Sequence, residues 1–306
     1  MSSQQLDSKE ANRLKNMAGV ASVTLAVCLS LLKLFASIYT GSLAILSSMV
    51  DSLTDLVSSI ITLIAIKFAS QPASYHHRYG YGKAEALSAL IQAAFVFGSA
   101  FFVIYEGINR FWHPREIVDM GVGLVVMVIS LGATLILIAF QKYVIKKTNS
   151  LAVSADSLHY VIDVATNTSI IISLVLVKIF QIFWFDTLAA VLIAGYLFYN
   201  AYGLICDATN MLMDKELDEE VRDAVVKVVK ECGGVEGMHD LRTRDIGGIY
   251  VFEFHLELGG NLHLSKAHEL AHRVEDKILE LYPKSQVIIH QEPVGIEDER
   301  LDNKLV

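Results

Sequence analysis

Charged residues and proline are scarce in this chain. Asp, Glu, Lys and Arg make up 19% of its 306 residues, against about 25% in an average soluble protein. There are only 4 prolines, whereas apolar residues reach 53%, and this combination excludes a disordered or fibrous chain. No run of basic residues is longer than two, so nothing indicates a nucleic-acid partner.

The few charges are unevenly distributed. Residues 1–206 hold 24 of them and carry a net charge of +2, whereas residues 207–306 hold 34 and carry −10. This asymmetry predicts a membrane segment followed by a soluble, acidic domain. The 3 cysteines lie far apart without a CxxC motif, so no disulfide framework is predicted. Residues 1–16 are polar and lack the apolar stretch of a secretory signal peptide.

Several apolar stretches are long enough to cross a bilayer, which takes about 20 helical residues. Six such spans are predicted, at 17–38, 43–66, 84–108, 120–140, 160–180 and 187–205. If the N-terminus is cytoplasmic, the segments on the inner side hold nine basic residues and the outer loops hold three. Because positive charge accumulates on the inner side, both termini are predicted to be cytoplasmic.

The C-terminal part is predicted to have the element order α-β-β-α-β. Helical spacing covers 216–231, and two strands at 239–245 and 249–258 flank the turn signal Gly247-Gly248. A second helix is predicted after Ser265 as its N-cap, followed by a strand at 286–291. A small sheet with helices on one face fits this order.

The expected fold class is therefore an all-α bundle of six transmembrane helices plus an α+β, ferredoxin-like C-terminal domain. The predicted division is a cytoplasmic segment 1–16, a transmembrane domain 17–206, a cytoplasmic metal-binding domain 207–293 and a tail 294–306.

Two of the spans carry groups that a bilayer tolerates poorly. Asp51 and Asp55 lie four residues apart on the second span, and His159 and Asp163 lie four apart on the fifth, so each pair shares a helix face. Charged side chains in the hydrocarbon region usually face a cavity or a partner, and neighbouring acids repel unless a cation lies between them. Asp156, one turn before His159, is expected to cap the helix or to face the inner vestibule.

Brought together, the two pairs would offer three carboxylates and one imidazole. Such a set suits Zn²⁺ and also admits Cd²⁺, Co²⁺ or Fe²⁺. The alternative is that these polar residues only join the helices to one another.

These residues carry a resemblance to the cation diffusion facilitator family. The DxxxD and HxxxD pairs, the six spans and the α-β-β-α-β tail resemble the family as a whole, and the stretches 80–85 and 287–291 resemble its bacterial zinc and ferrous-iron efflux members. The resemblance implies a homodimeric exporter of divalent metal in the inner membrane, driven by protons. Its partners would be metal ions, protons, lipid and a second copy.

In the family, an Asp-Asp-His-Asp set forms the transport site. Those positions correspond here to Asp51, Asp55, His159 and Asp163. Members with His in the set are associated with zinc and cadmium, whereas members with Asp in its place are associated with manganese or iron.

The resemblance also implies a metal site in the C-terminal domain. His239, His255, His268 and His290 fall on positions that bind a pair of zinc ions at the dimer interface of the efflux members. Glu292 stands where those members usually have Asp. Because His290 and Glu292 are two residues apart on a predicted strand, both point to the same side.

Two further family features fall between the spans and the tail. Lys83 and Asp214 occupy positions that form a salt bridge between subunits or domains. The loop before Lys83 holds another zinc ion in the efflux members, through an Asp and two His. Here Ser74 and Tyr81 replace two of those ligands and only His77 remains, so the loop site is predicted to be weak or lost, because protonated hydroxyls are poor zinc ligands.

Other readings remain. The cargo could be Fe²⁺ or Mn²⁺, or the protein could be a membrane-anchored metal sensor, although an anchor has no reason to carry intramembrane acids. The letters of His268-Glu-Leu-Ala-His272 match the HExxH motif of metalloproteases. The small domain that contains them leaves no room for a deep cleft, so a transporter and not an enzyme is predicted.

Overall fold

A computed structural model describes residues 8–40, 43–112, 121–180 and 185–295. The described residues form two compact units. The helical domain consists of residues 8–74 and 84–209, and the C-terminal unit consists of residues 75–83 together with 210–295.

Six helices make up the described part of the helical domain. They are α1 (Ser8–Thr40), α2 (Leu43–Ala69), α3 (Ala84–Trp112), α4 (Gly121–Thr148), α5 (Leu151–Phe180) and α6 (Phe185–Leu212). Within the described residues, every helix except α5 contains a stretch long and apolar enough to cross a membrane. α5 is 30 residues long and carries Asp156, His159 and Asp163. The predicted six-helix bundle is confirmed.

Small side chains allow the helices to approach closely. Ala93 and Ala100 of α3 are completely buried, as are Ala194 and Ala201 of α6, and these helices pack with Ile162 of α5 in one apolar cluster. Small residues at helix contacts are typical of membrane proteins, because lipid supplies no hydrophobic force that would drive helices together. α1 completes the bundle against α2 and α4, and α4 lies against α5.

A buried carboxylate, Asp156, ties several helices together. Gln141 Nε2 of α4 donates a hydrogen bond to Asp156 Oδ2 at 2.7 Å, and Ser59 Oγ of α2 donates to Oδ1 at 3.1 Å. The same Gln141 Nε2 donates to Ser22 Oγ of α1 at 3.0 Å. The expectation that Asp156 caps its helix or faces the inner vestibule is wrong. Asp156 is 1% exposed, and the first turn of α5 is capped by Ser150, whose hydroxyl accepts a hydrogen bond from the Val153 N–H.

The C-terminal unit has the predicted order α-β-β-α-β. Its elements are α7 (Glu219–Lys230), β1 (Val235–Asp245), β2 (Tyr250–Leu258), α8 (Leu264–Leu281) and β3 (Ser285–Pro293). The central strand β2 pairs antiparallel with β1 and parallel with β3. The predicted N-cap Ser265 is wrong, because α8 already begins at Leu264 after His263.

One face of this sheet supplies the core of the C-terminal unit. Phe252, Phe254 and Leu256 alternate along β2 with more polar residues and are fully buried. They pack with Val229 of α7 and Ile278 of α8. The polar side chains of the alternating pattern are consequently left on the other face, where the histidines of the strands lie.

The segment 75–83 approaches the turn between β1 and β2 through two glycines. A Cβ atom on Gly82 would lie 2.3 Å from the carbonyl oxygen of Ile246. A Cβ atom on Gly247, whose φ is +99°, would lie 2.4 Å from Gly82 Cα. Neither position has room for a side chain, so the contact requires glycine on both sides.

We expect Gly82→Ala to lower the melting temperature of the detergent-solubilised protein by at least about 3 °C, because the added methyl group meets rigid backbone atoms. Gly203→Ala is the matched control, since a Cβ atom there meets nothing within 4 Å. Equal melting temperatures for the two variants, measured by intrinsic fluorescence, would contradict the close contact.

Candidate metal centres

The helical domain brings the four residues of the predicted membrane site to one cavity. α2 supplies Asp51 and Asp55, and α5 supplies His159 and Asp163. All four line a cavity of about 620 Å³, which we call the membrane cavity. The i, i+4 spacing on each helix is the local reason, because it directs both members of a pair to the same side.

Three of these residues form a tight group, the membrane cluster, consisting of Asp55, His159 and Asp163. Their ligand atoms all lie within 4.8 Å of one another, and His159 Nε2 is 2.9 Å from Asp55 Oδ1. Asp163 Oδ2 is buried and has no hydrogen-bond partner among the described residues. Since a buried polar oxygen without a partner is costly, this atom is suited to accept a cation or a proton. Asp51 lines the same cavity but is more exposed and stands outside the group.

The membrane cluster has the donor chemistry of a transition-metal site. Zinc bonds to oxygen and nitrogen ligands are about 2.0–2.2 Å long, which places neighbouring ligand atoms roughly 3–3.5 Å apart in a tetrahedron. The separation between His159 and Asp55 is close to that value. Asp163 belongs to the same cluster and Asp51 lines the same cavity, so all four side chains can offer donor atoms to an ion there.

Lys33 of α1 also lines the membrane cavity. Its ammonium group donates to Ser52 Oγ at 2.6 Å and to the carbonyl oxygen of Ser48 at 3.1 Å. The sequence alone does not identify it as a site residue, because a lone lysine in an apolar run ordinarily extends its charge to the membrane surface.

The strand register builds a second centre in the C-terminal unit. His239 of β1 pairs with His255 of β2, and His255 pairs with His290 of β3, so the three imidazoles form one row across the sheet. Glu292 is 8% exposed and reaches two of them. Its Oε1 is 3.0 Å from His239 Nε2, and its Oε2 is 3.2 Å from His255 Nδ1.

His239, His255 and Glu292 form the sheet cluster, with ligand atoms within 4.8 Å of one another. His290 is exposed, with its ring centroid 4.7 Å from that of His255. His268 is exposed on α8 and stands outside the sheet cluster, so its participation in a zinc pair stays a prediction that concerns the dimer.

Glu257 is a neighbour of the sheet cluster that sequence reasoning missed. Its Oε1 is 2.8 Å from His239 Nδ1, so it fixes the orientation of that ring while the opposite nitrogen faces Glu292. Carboxylates commonly orient metal-binding histidines in this way. The period-two alternation of β2 places Glu257 on the same face as His255, and this pattern could have identified Glu257 as a neighbour of the histidines.

Comparison with known proteins identifies the family of the chain. The family model of the cation efflux transmembrane domain matches residues 19–213, and that of the cation efflux protein cytoplasmic domain matches residues 217–294. The chain belongs to the cation diffusion facilitator family. It is accordingly a membrane transporter for divalent metal efflux and not an enzyme.

Relatives of this facilitator match over nearly their whole length. The cation-efflux pump FieF of Shewanella oneidensis is 42% identical over 92% of this chain and 95% of its own. Protein p34 of Rickettsia rickettsii is 39% identical over 96% and 97%. Among solved structures, the metal-bound C-terminal domain of the CzcD transporter from Thermotoga maritima covers 27% of this chain and 100% of its own, at 26% identity and a TM-score of 0.26.

The other family positions of this facilitator lie in the C-terminal unit. Lys83 Nζ is 2.8 Å from Asp214 Oδ1 within a single chain. Both side chains are substantially exposed, so the pair itself contributes under about 1 kcal/mol, and its role as a pivot stays a prediction. His77 is exposed and its ring lies 4.5 Å from that of Tyr81. The weakness of the loop site likewise stays a prediction.

The HExxH letters of α8 lie on an open surface. His268 and His272 are exposed. Glu269 is held by Lys266 at 2.8 Å and by Arg273 at 3.2 Å. The Lys266 ammonium group keeps the pKa of Glu269 below its ordinary value, which is unsuited to a general base.

We expect Glu292→Ala to remove most of the rise in melting temperature that zinc causes at the sheet cluster, because this carboxylate contacts two of its imidazoles. The measurement uses the full chain carrying Asp55→Ala, so that the membrane cluster does not contribute. Glu253→Ala is the control, since Glu253 lies on β2, two residues before His255, and pairs only loosely with Arg244 at 4.0 Å. An undiminished zinc effect in Glu292→Ala would show that the sheet cluster is not a metal site.

Proposed function

We propose that this facilitator exports Zn²⁺, and also Cd²⁺, from the cytoplasm in exchange for protons. The observation that carries the proposal is the convergence of Asp55, His159 and Asp163 in the membrane cavity, with Asp51 beside them. Acids gathered inside the membrane, one of them with a buried oxygen that has no partner among the described residues, are expected on an ion pathway. Their convergence also argues against the sensor hypothesis, because an anchor would not need such a group.

The preference for zinc rests on His159. An imidazole nitrogen with carboxylate oxygens suits Zn²⁺, whereas all-oxygen sets suit harder ions. The family association of His at this position with zinc and cadmium supports the same conclusion. Fe²⁺ remains the second candidate, since a nitrogen ligand also accommodates it.

Exchange with protons follows from the chemistry of the ligands. Carboxylates and imidazole must lose protons before they bind a metal ion, so protons and metal compete for the membrane cluster. Histidine changes charge near physiological pH, which suits it to this competition. Protons entering from the outer side would displace the metal, and metal arriving from the cytoplasm would displace protons.

We also propose that the protein is a homodimer in the inner membrane with both termini in the cytoplasm. This orientation places nine basic residues in the segments on the inner side and three in the outer loops, as the distribution of positive charge in membrane proteins favours. The net charge of −10 on residues 207–306 would then attract cations on the cytoplasmic side. A second copy would give the exposed His268 and His290 an opportunity to complete sites across the interface.

Reconstituted vesicles with an imposed pH gradient test the proposal. Asp55→Ala is expected to reduce zinc uptake at least about tenfold while leaving a folded protein, because the variant removes a ligand that contacts His159. Asp207→Ala, which changes an exposed acid of α6, is expected to transport normally. Normal uptake by Asp55→Ala would contradict the site, and zinc uptake that ignores the pH gradient would contradict the exchange.

The metal preference has its own variant. His159→Asp replaces the nitrogen ligand by oxygen and is expected to raise the ratio of Mn²⁺ to Zn²⁺ uptake in the same vesicles. An unchanged ratio would show that His159 does not select the cargo.

A further inference from the structure

A positive charge stands in the membrane cavity next to the proposed transport site. Lys33 lies within the apolar part of α1, and its ammonium group is bonded to Ser52 Oγ and to the carbonyl oxygen of Ser48, both on α2. Ser52 directly follows Asp51. The Lys33 side chain therefore points toward α2, the helix that carries Asp51 and Asp55, instead of along α1 toward the membrane surface.

Two neutral hydrogen-bond partners hold Lys33 in place without cancelling its charge. Asp51 and Asp163 line the same cavity as Lys33. No salt bridge to Lys33 is present among the described residues. The ammonium group therefore keeps its positive charge at the wall of the cavity and repels any cation that enters.

The charge count of the loaded site shows what Lys33 contributes. With a metal ion bound, Asp51, Asp55 and Asp163 each carry one negative charge and His159 is neutral, because metal ligands are deprotonated. A divalent ion alone would leave one negative charge uncompensated. The ammonium group of Lys33 removes that excess, and a neutral group is the least costly one to enclose in a low-dielectric bundle.

We propose that Lys33 determines specificity for divalent ions by neutralising the loaded site and by weakening its hold on the ion. The proposal rests on the membrane cavity being the transport site. The positive charge that neutralises the loaded site also repels the bound ion, so the ion is easier to release. The same charge disfavours trivalent ions, since the repulsion between the ammonium group and the ion grows with the charge of the ion.

Removal of the charge should therefore tighten binding in proportion to the charge of the ion. We expect Lys33→Gln to bind Zn²⁺ about tenfold more tightly and Tb³⁺ about thirtyfold more tightly than the parent, and to transport zinc more slowly. Lys33→Arg retains the charge and is expected to resemble the parent. A purely structural role of Lys33 would not produce an effect graded by ion charge.

The binding experiment uses the full chain with His255→Ala and Glu292→Ala as the parent, so that the sheet cluster does not contribute. Zinc is titrated at pH 8, where protons compete least, against a fluorescent zinc indicator, and terbium is followed by its luminescence. Lys67→Gln is the control, because it removes an equal charge from an exposed position near the end of α2. Lys33→Met provides a second neutral variant if Lys33→Gln does not elute as a folded protein.

Distinct outcomes separate this inference from the proposed function. Suppose that Asp55→Ala abolishes zinc binding in the parent, so that the transport site stands. The role of Lys33 alone would then be overturned by a zinc affinity that is unchanged or weaker in folded Lys33→Gln. An equal gain in affinity in Lys67→Gln would overturn it as well. Undiminished zinc binding by Asp55→Ala would overturn the transport site, and the role of Lys33 with it.

Discussion

A carboxylate enclosed in an apolar helix bundle requires compensation for the water it has lost, by hydrogen bonds, a counter-ion, a proton or a metal ion. The helical domain meets this requirement differently at each acid. Asp156 accepts hydrogen bonds from Ser59 and Gln141. Glu85 is paired with Lys15 and also accepts a bond from Ser150. Among the acids whose side chains the structure describes in this domain, Asp163 at the membrane cavity keeps a buried oxygen without a partner, and a mobile cation can bind there.

Asp156 and Asp163 lie on the same helix but differ in their hydrogen-bond partners, which indicates a structural role for Asp156 and an ion-binding role for Asp163. Asp156 joins α5 to its neighbours through neutral donors, so its substitution would disturb packing. Asp163, a little further along the same helix, leaves an oxygen without a partner among the described residues. The neutral network around Asp156 therefore positions α5, and with it the two ligands that α5 presents to the cavity.

The C-terminal unit uses a different device to bring ligands together. A sheet places residues from distant parts of the chain at fixed register, so His239, His255 and His290 become neighbours across three strands. The apolar face of β2 holds the sheet on its helices, which leaves the opposite face for polar groups. Because the strands are fixed by this core, the sheet cluster can exist before a metal ion arrives.

Local patterns carried most of what the sequence could predict. Paired acids at i, i+4 on two apolar stretches indicate a shared site, and period-two alternation indicates β2 and the face on which His255 lies. The hydrogen bonds of Gln141 to Asp156 and of Lys33 to Ser52 join residues on different helices, so no local sequence pattern predicts them. Whether His268 binds metal depends on a second copy of the chain. The start of α8 at Leu264 depends on backbone hydrogen bonds, which residue propensities do not locate to a single position.

Anomalous X-ray scattering at the zinc edge, from crystals of the full chain grown with zinc, tests the central claim most directly. The account predicts a zinc ion in the membrane cavity at about 2.0–2.2 Å from His159 Nε2 and from carboxylate oxygens of α2 and α5. A membrane cavity without zinc, at concentrations that fill the sheet cluster and support transport, would contradict it.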